Sequence, residues 1–157
     1  MRATASSAPS KPVSTIQTSD GAAPQPVIAK MPTPVDQQFF ERLREMNDKF
    51  AAGVPATVAR LETLRSAFDA AAPDRALAAE LQQLLHTIAG SAATFGFRTF
   101  GLEARALEQR LRVLQAFEQV GAAEWGGWLR SLDHYVAWAR VDAHADHFPA
   151  ESGQENI

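Results

Sequence analysis

Histidine and cysteine, which combine nucleophilic and metal-binding capacity near neutral pH, are few in this chain. There are four histidines and no cysteine. Thiol catalysis, disulfides and Cys-ligated zinc are therefore excluded. Three histidines, His134, His144 and His147, fall near the C-terminus together with Asp142 and Asp146. His144 and His147 have a spacing that could share a metal on a helix. The fourth, His86, stands alone in the middle of a long apolar-periodic segment. A neutral imidazole, with an ordinary pKa near about 6.5, is a competent nucleophile at neutral pH.

The segment around His86 has an unusual make-up. Leu77, Leu81, Leu84, Leu85, Ile88, Ala92 and Phe95 recur at spacings of three and four, as on one face of a helix. At about 100° per residue these positions fill an arc of roughly 100°, and His86 lies about 155° from its centre. His86 is thus expected to face solvent. Its neighbours three and four positions away are Gln82, Gln83, Ala89 and Gly90, with Ala79 and Ala93 one turn further out. Four of these six carry nothing larger than a methyl group. A plain solvated face would carry Lys, Glu and Arg. Gly90 is costly in a helix interior, by about 1 kcal/mol relative to Ala. It either leaves the surface beside His86 low or permits helix packing.

The elements that position this residue are all helical, since the apolar spacings are three and four throughout. A first helix is predicted from near Val35, with Phe39, Leu43, Met46 and Phe50, stopped by Gly53. Pro55 opens a second, with Val58, Leu61, Leu64 and Phe68, ending near Ala72. Pro73 and Asp74 open the His86 helix, and Gly96 ends it. A fourth helix carries Phe100, Ala104, Leu107, Leu111 and Leu114. After Gly121 a fifth carries Trp125, Trp128, Leu129, Leu132, Tyr135, Val136 and Ala139. Short connections force neighbours antiparallel. The expected fold is all-α, an antiparallel up-down-up-down four-helix bundle with an extra N-terminal helix on or across its end. The expected organisation is a disordered Ala/Ser/Pro-rich tail over 1–34, the bundle over 35–143, and a flexible C-terminal tail over 144–157.

Bulk properties narrow the function. The 157 residues suffice for one domain, and the net charge of −3 lacks the basic excess of a nucleic-acid-binding module. No apolar run is long enough to cross a membrane and the N-terminus has no signal-peptide core, so a cytoplasmic, monomeric protein is expected. There is no Gly-rich phosphate loop, so no ATP site and no cofactor of its own are expected.

His86-Thr87-Ile88-Ala89-Gly90-Ser91, with Gly96 after the helix, resembles the signature of histidine phosphotransfer (HPt) domains. That pattern is His, any residue, an apolar residue, often Lys, then Gly and Ser, with a second Gly beyond. Leu107-Glu108 matches the family's Leu-Glu on the following helix. The resemblance spans roughly Phe50 to Val141. It implies a phosphorelay carrier, phosphorylated on His86, that exchanges phosphoryl groups with receiver domains of response regulators or a hybrid sensor kinase. The Mg²⁺ and the acidic pocket would belong to the receiver.

Ala89 departs from the pattern, standing where the family often has Lys. Helix geometry across the turn at Gly96 places Arg105, Gln109 and Arg112 near the level of His86. Arg105 or Arg112 could supply the missing charge, or both could merely solvate the outer face. Gln82 or Gln83 could hydrogen-bond the ring or the phosphoryl oxygens. Two rivals remain at this point: a non-phosphorylated helical adaptor or kinase inhibitor, and a metal site at the C-terminal histidines.

Overall fold

The computed structural model describes residues 31–150. Within them the chain forms α1 (Pro34–Ala67), α2 (Arg75–Ser91), a 3-10 turn (Ala92–Phe95), α3 (Arg98–Ala116) and α4 (Ala122–Asp142), with no strand among the described residues. The described residues fall into two units, one ending at Phe40 and the other beginning at Glu41.

In the first unit Thr33 and Asp36 cap α1 reciprocally. The Thr33 hydroxyl donates to Asp36 Oδ2 at 2.7 Å and accepts from the Asp36 N–H at 3.2 Å. This is the logic of a capping box, followed by Pro at the first helical position. The side-chain hydrogen bond from Thr33, then that from its backbone, holds the Asp36 carboxyl below its ordinary value. The N-terminal tail expected over 1–34 lies almost wholly outside the described residues.

In the second unit the helices run alternately up and down. Arg60 pairs with Glu80, and Phe50 stacks on Phe95 at 4.8 Å, so α1 and α2 are antiparallel. His86 meets Glu108 while Gln115 reaches the Ala78 carbonyl, so α2 and α3 are antiparallel. Trp128 donates to the Leu107 carbonyl at 3.0 Å and Tyr135 to that of Phe100 at 2.9 Å, which sets α4 antiparallel to α3. Phe68 packs on Trp125 and Arg65 grips Asp133 through two nitrogens, which closes α4 onto α1. The core is filled by Leu61, Leu81, Leu85, Phe100, Leu111, Trp128, Leu132 and Tyr135, all essentially inaccessible. Burial, and then Glu103, pushes the Tyr135 hydroxyl well above its ordinary pKa.

The all-α bundle agrees with expectation, but two boundaries do not. The two helices predicted on either side of Gly53 are one, because α1 passes through both Gly53 and Pro55. The missing Pro55 N–H deprives only the Ala51 carbonyl, and both residues are exposed, so water can serve that group. Val54, Val58, Leu61 and Leu64 are buried on the continuous helix, and their packing outweighs the local cost of the proline. The extra N-terminal helix is therefore the leading part of the first bundle helix. Its predicted stripe is largely unburied. Phe39, Leu43 and Met46 are exposed, and only Phe50 engages other elements, against Phe95 and Phe97.

The second correction concerns the C-terminal tail, expected to be loose from residue 144. Residues 144–150 are docked. Phe148 packs among His134, Tyr135 and Trp138. The Trp138 indole donates to the His147 carbonyl at 3.0 Å, and Thr99 donates to that of Asp146 at 2.9 Å. One aromatic anchor and three hydrogen-bonded carbonyls, that of Pro149 facing His134 Nε2 included, suffice to order a short strap that its composition marks as loop. Residues 151–157 lie outside the described residues.

Candidate functional site

The helix that carries His86 begins at Asp74, whose Oδ1 accepts from the N–H groups of Ala76 at 2.7 Å and Leu77 at 3.3 Å. Ala78, Leu81, Leu85 and Ile88 are buried on its inner face. His86 lies on the outer face with 60% of its side chain exposed, as the helical wheel requires. Gly90 is exposed, and a Cβ built there would meet nothing within 4 Å. The packing explanation for Gly90 therefore fails, and its effect is a low surface beside the imidazole. The packing glycine is Gly101 on α3, where a Cβ would stand 3.2 Å from the Ala92 Cβ.

The close approach at Gly101 and the turn at Gly96 bring α3 up against His86. Gly96 takes the left-handed conformation with φ of 87°, and the Phe97 N–H donates to the Ala92 carbonyl at 2.9 Å. The chain thus reverses in a few residues, as at a glycine C-cap. The resulting register sets Glu108 opposite His86. Its Oε1 lies 3.0 Å from His86 Nδ1, and Arg112 Nη2 lies 3.0 Å from the same oxygen.

Glu108 is the one buried charged residue among those described. A buried carboxylate needs partners that offset its lost hydration. Here they are the imidazole on one side and the guanidinium on the other. An ionised carboxylate only accepts hydrogen bonds, so Nδ1 carries the proton and donates it to Glu108. The lone pair of the neutral ring is then on Nε2, the nitrogen directed away from Glu108. A hydrogen bond from Nδ1 to a carboxylate fixes both the tautomer and the ring plane.

The residues expected around His86 divide into two groups. Gln82 and Ala89 are half-buried and Gln83 and Gly90 exposed, all within about one turn of His86 on α2, while Ala93, expected on the same face, is exposed in the 3-10 turn that follows. Neither glutamine hydrogen-bonds the imidazole among the described residues. Arg112 is joined to His86 through Glu108. Arg105 is exposed one turn before Glu108 and forms no ion pair among the described residues. Glu108 was noted in the sequence only as half of the Leu107-Glu108 match and was given no role at the site. Its signal was present, since it falls between Ala104 and Leu111 on the buried face of α3.

The remaining histidines serve the strap. His134 Nε2 lies 2.9 Å from the Pro149 carbonyl, His144 packs edge-on against Phe97, and His147 offers its carbonyl to Trp138. Among the described residues no three His, Asp or Glu side chains gather as metal ligands.

The fold and site define a class: an antiparallel helical bundle that presents His86 on its outer face. Residues 37–138, well over half of the chain, match the family described as the Hpt domain. The chain belongs to the histidine phosphotransfer domain family. The match begins before Phe50, where the resemblance in sequence was placed, and takes in the part of α1 that the structure makes continuous with the bundle. Members of this family are phosphocarrier modules of two-component signalling rather than kinases. No curated protein and no solved structure matches the chain. No helix among the described residues is long and apolar enough to cross a membrane.

Proposed function

We propose that this chain is a phosphorelay intermediate that accepts a phosphoryl group on Nε2 of His86 from a receiver domain's aspartyl phosphate and passes it to a receiver aspartate. The observation that carries this reading is the exposed imidazole whose Nδ1 is held by the buried Glu108 carboxylate.

The step needs positioning and charge stabilisation more than covalent machinery. The Nε2 lone pair attacks phosphorus in line. The N–P bond forms as the P–O bond to the aspartyl carboxylate breaks, and that carboxylate leaves with the electron pair. The ring then carries substituents on both nitrogens and a positive charge. Glu108 stands against the Nδ1–H where this charge develops, so it stabilises the phosphorylated ring more than the free one. Reversal returns the phosphoryl group to an aspartate. Arg112 is anchored on the same carboxylate oxygen. It is better placed than Arg105 to supply the charge that Ala89 does not. The low surface at Ala89, Gly90 and Ala93 admits the partner, and Gln82 and Gln83 border it. Mg²⁺ would be held by the receiver. On this reading the protein acts in the cytoplasm as a monomer.

Incubation with a phosphorylated receiver domain tests the reading. Acid-labile, base-stable label is expected on the wild type and none on His86→Gln. Equal labelling of both proteins would refute it.

A further inference from the structure

The α3 arginines beside His86 form a regular row. Arg98, Arg105 and Arg112 are seven residues apart and all exposed. Seven residues turn a helix by about 700°, so each lies only about 20° round from the last. The row runs about 21 Å along the helix, at 1.5 Å per residue. Glu108 lies within the span of the row and on its inner side, which places the row along the edge of the His86 surface.

Three observations bear on this row. Arg60, Arg65 and Arg140, on α1 and α4, are paired with Glu80, Asp133 and Glu62. Arg98 and Arg105 form no ion pair among the described residues, as Arg75 and Arg130 form none, but of these four only Arg98 and Arg105 fall in line with Arg112 on α3. Arg98 also opens α3, where the helix dipole is positive, and the first turn holds no acidic residue to offset it. Helix stability therefore does not account for Arg98. Finally, the His86 side of α2 offers no acidic partner, since Ala79, Gln82, Gln83, Ala89 and Gly90 are all uncharged. A chain of net charge −3 thus leaves unpaired positive charge next to its nucleophile. Leu102 and Val113 stand exposed, at 53% and 57%, along the outer side of the row. A basic row bordered by apolar side chains suits a protein surface rather than a small free anion.

We infer that Arg98 and Arg105, continued by Arg112, form a rail that steers and aligns an acidic partner surface surrounding an aspartyl phosphate, a role that rests on the proposed phosphotransfer at His86. The phosphoryl group is itself anionic, and a partner whose rim shares its sign is drawn along the row toward the imidazole. Arg112 is partly committed to Glu108, so Arg98 and Arg105 supply the long-range attraction. Such steering acts on the association rate and weakens with salt.

The test is the second-order rate of transfer from a phosphorylated receiver, measured against ionic strength. Arg98→Glu/Arg105→Glu is compared with wild type and with Arg130→Glu on α4, the helix diagonal to α2. At low salt the double variant is expected to transfer at least about 10-fold more slowly, within the range of electrostatic steering. The difference should shrink at high salt, and Arg130→Glu should follow the wild type. Labelling by phosphoramidate, a small anionic donor that meets no extended surface, should fall far less than transfer from the receiver, showing an intact fold and nucleophile. Parallel salt profiles for wild type and double variant overturn the rail while leaving phosphotransfer standing. A wild type that phosphoramidate labels but no charged receiver does overturns the phosphotransfer reading, and the rail with it.

Discussion

His86 and Glu108 are 22 positions apart in sequence, yet Nδ1 of one lies 3.0 Å from Oε1 of the other. One partner is largely exposed and the other nearly buried, with 60% and 7% of their side chains accessible. The carboxylate therefore sits behind the ring as a fixed support, and solvent meets the imidazole from the opposite side.

That relationship predicts the behaviour of Glu108 variants. Glu108→Ala should slow phosphotransfer about 10–100-fold, the usual scale for losing the group that orients a functional imidazole. Glu108→Gln keeps an acceptor but no charge, and should fall between. Nitrogen-15 NMR of the imidazole gives an independent reading. The wild type should show the Nδ1–H tautomer and Glu108→Ala a mixture. Wild-type rates and an unchanged tautomer in Glu108→Ala would remove Glu108 from the mechanism.

Two glycines should respond in opposite directions. Gly90→Ala places a methyl group in open space and gains helix propensity, so stability should rise by about 1 kcal/mol. Gly101→Ala drives a Cβ against the Ala92 Cβ and the Ala93 backbone, and should lose about 1–3 kcal/mol. Thermal and urea unfolding of the two variants decide the matter. A stabilised Gly101→Ala would contradict the close helix approach described above.

Pro55 lies inside α1. Its replacement by Ala restores a hydrogen bond to the Ala51 carbonyl and removes a steric clash. Pro55→Ala should therefore raise the unfolding midpoint, by up to about 3 kcal/mol of stability. A lowered midpoint would show that the chain does not continue helically through this position.

Tyr135 gives the bundle an alkaline limit. Burial raises its folded-state pKa above the ordinary value near 10. A raised acid is neutral in the fold when it has already ionised in the unfolded chain. Its contribution is thus fully present below about pH 10 and is lost as pH rises toward the folded-state pKa. Urea unfolding between about pH 8 and 12 should show this decline in the wild type and a shallower one in Tyr135→Phe. At neutral pH that variant should lose about 1 kcal/mol with its hydrogen bond to the Phe100 carbonyl.

What could be read from the sequence follows the range of the forces involved. The outward placement of His86 was legible because helical periodicity is local and seven apolar neighbours vote on one face. The level of Arg112 was legible because a short turn fixes an antiparallel register. Glu108 was harder to read, since a carboxylate is ordinarily a surface residue and its burial depends on partners from two helices. The continuity of α1 ran against two strong local breakers, Gly53 and Pro55, which the buried face of the bundle overrides. The docked strap was hidden for the same reason. Phe148 is ordered by His134, Tyr135 and Trp138, which are near it only once α4 has formed.

The left-handed conformation of Gly96 has a further consequence. It fixes how many residues separate His86 and Glu108 around the bend. An inserted amino acid that the bend could not absorb would move α3 by one residue of register, and at about 100° per residue each side chain of α3 would then face a new direction. Each helix would survive such a slip, but the Glu108 carboxylate would leave the His86 ring. The length of this bend is thus a chemical parameter, since it sets which α3 side chain stands behind the imidazole.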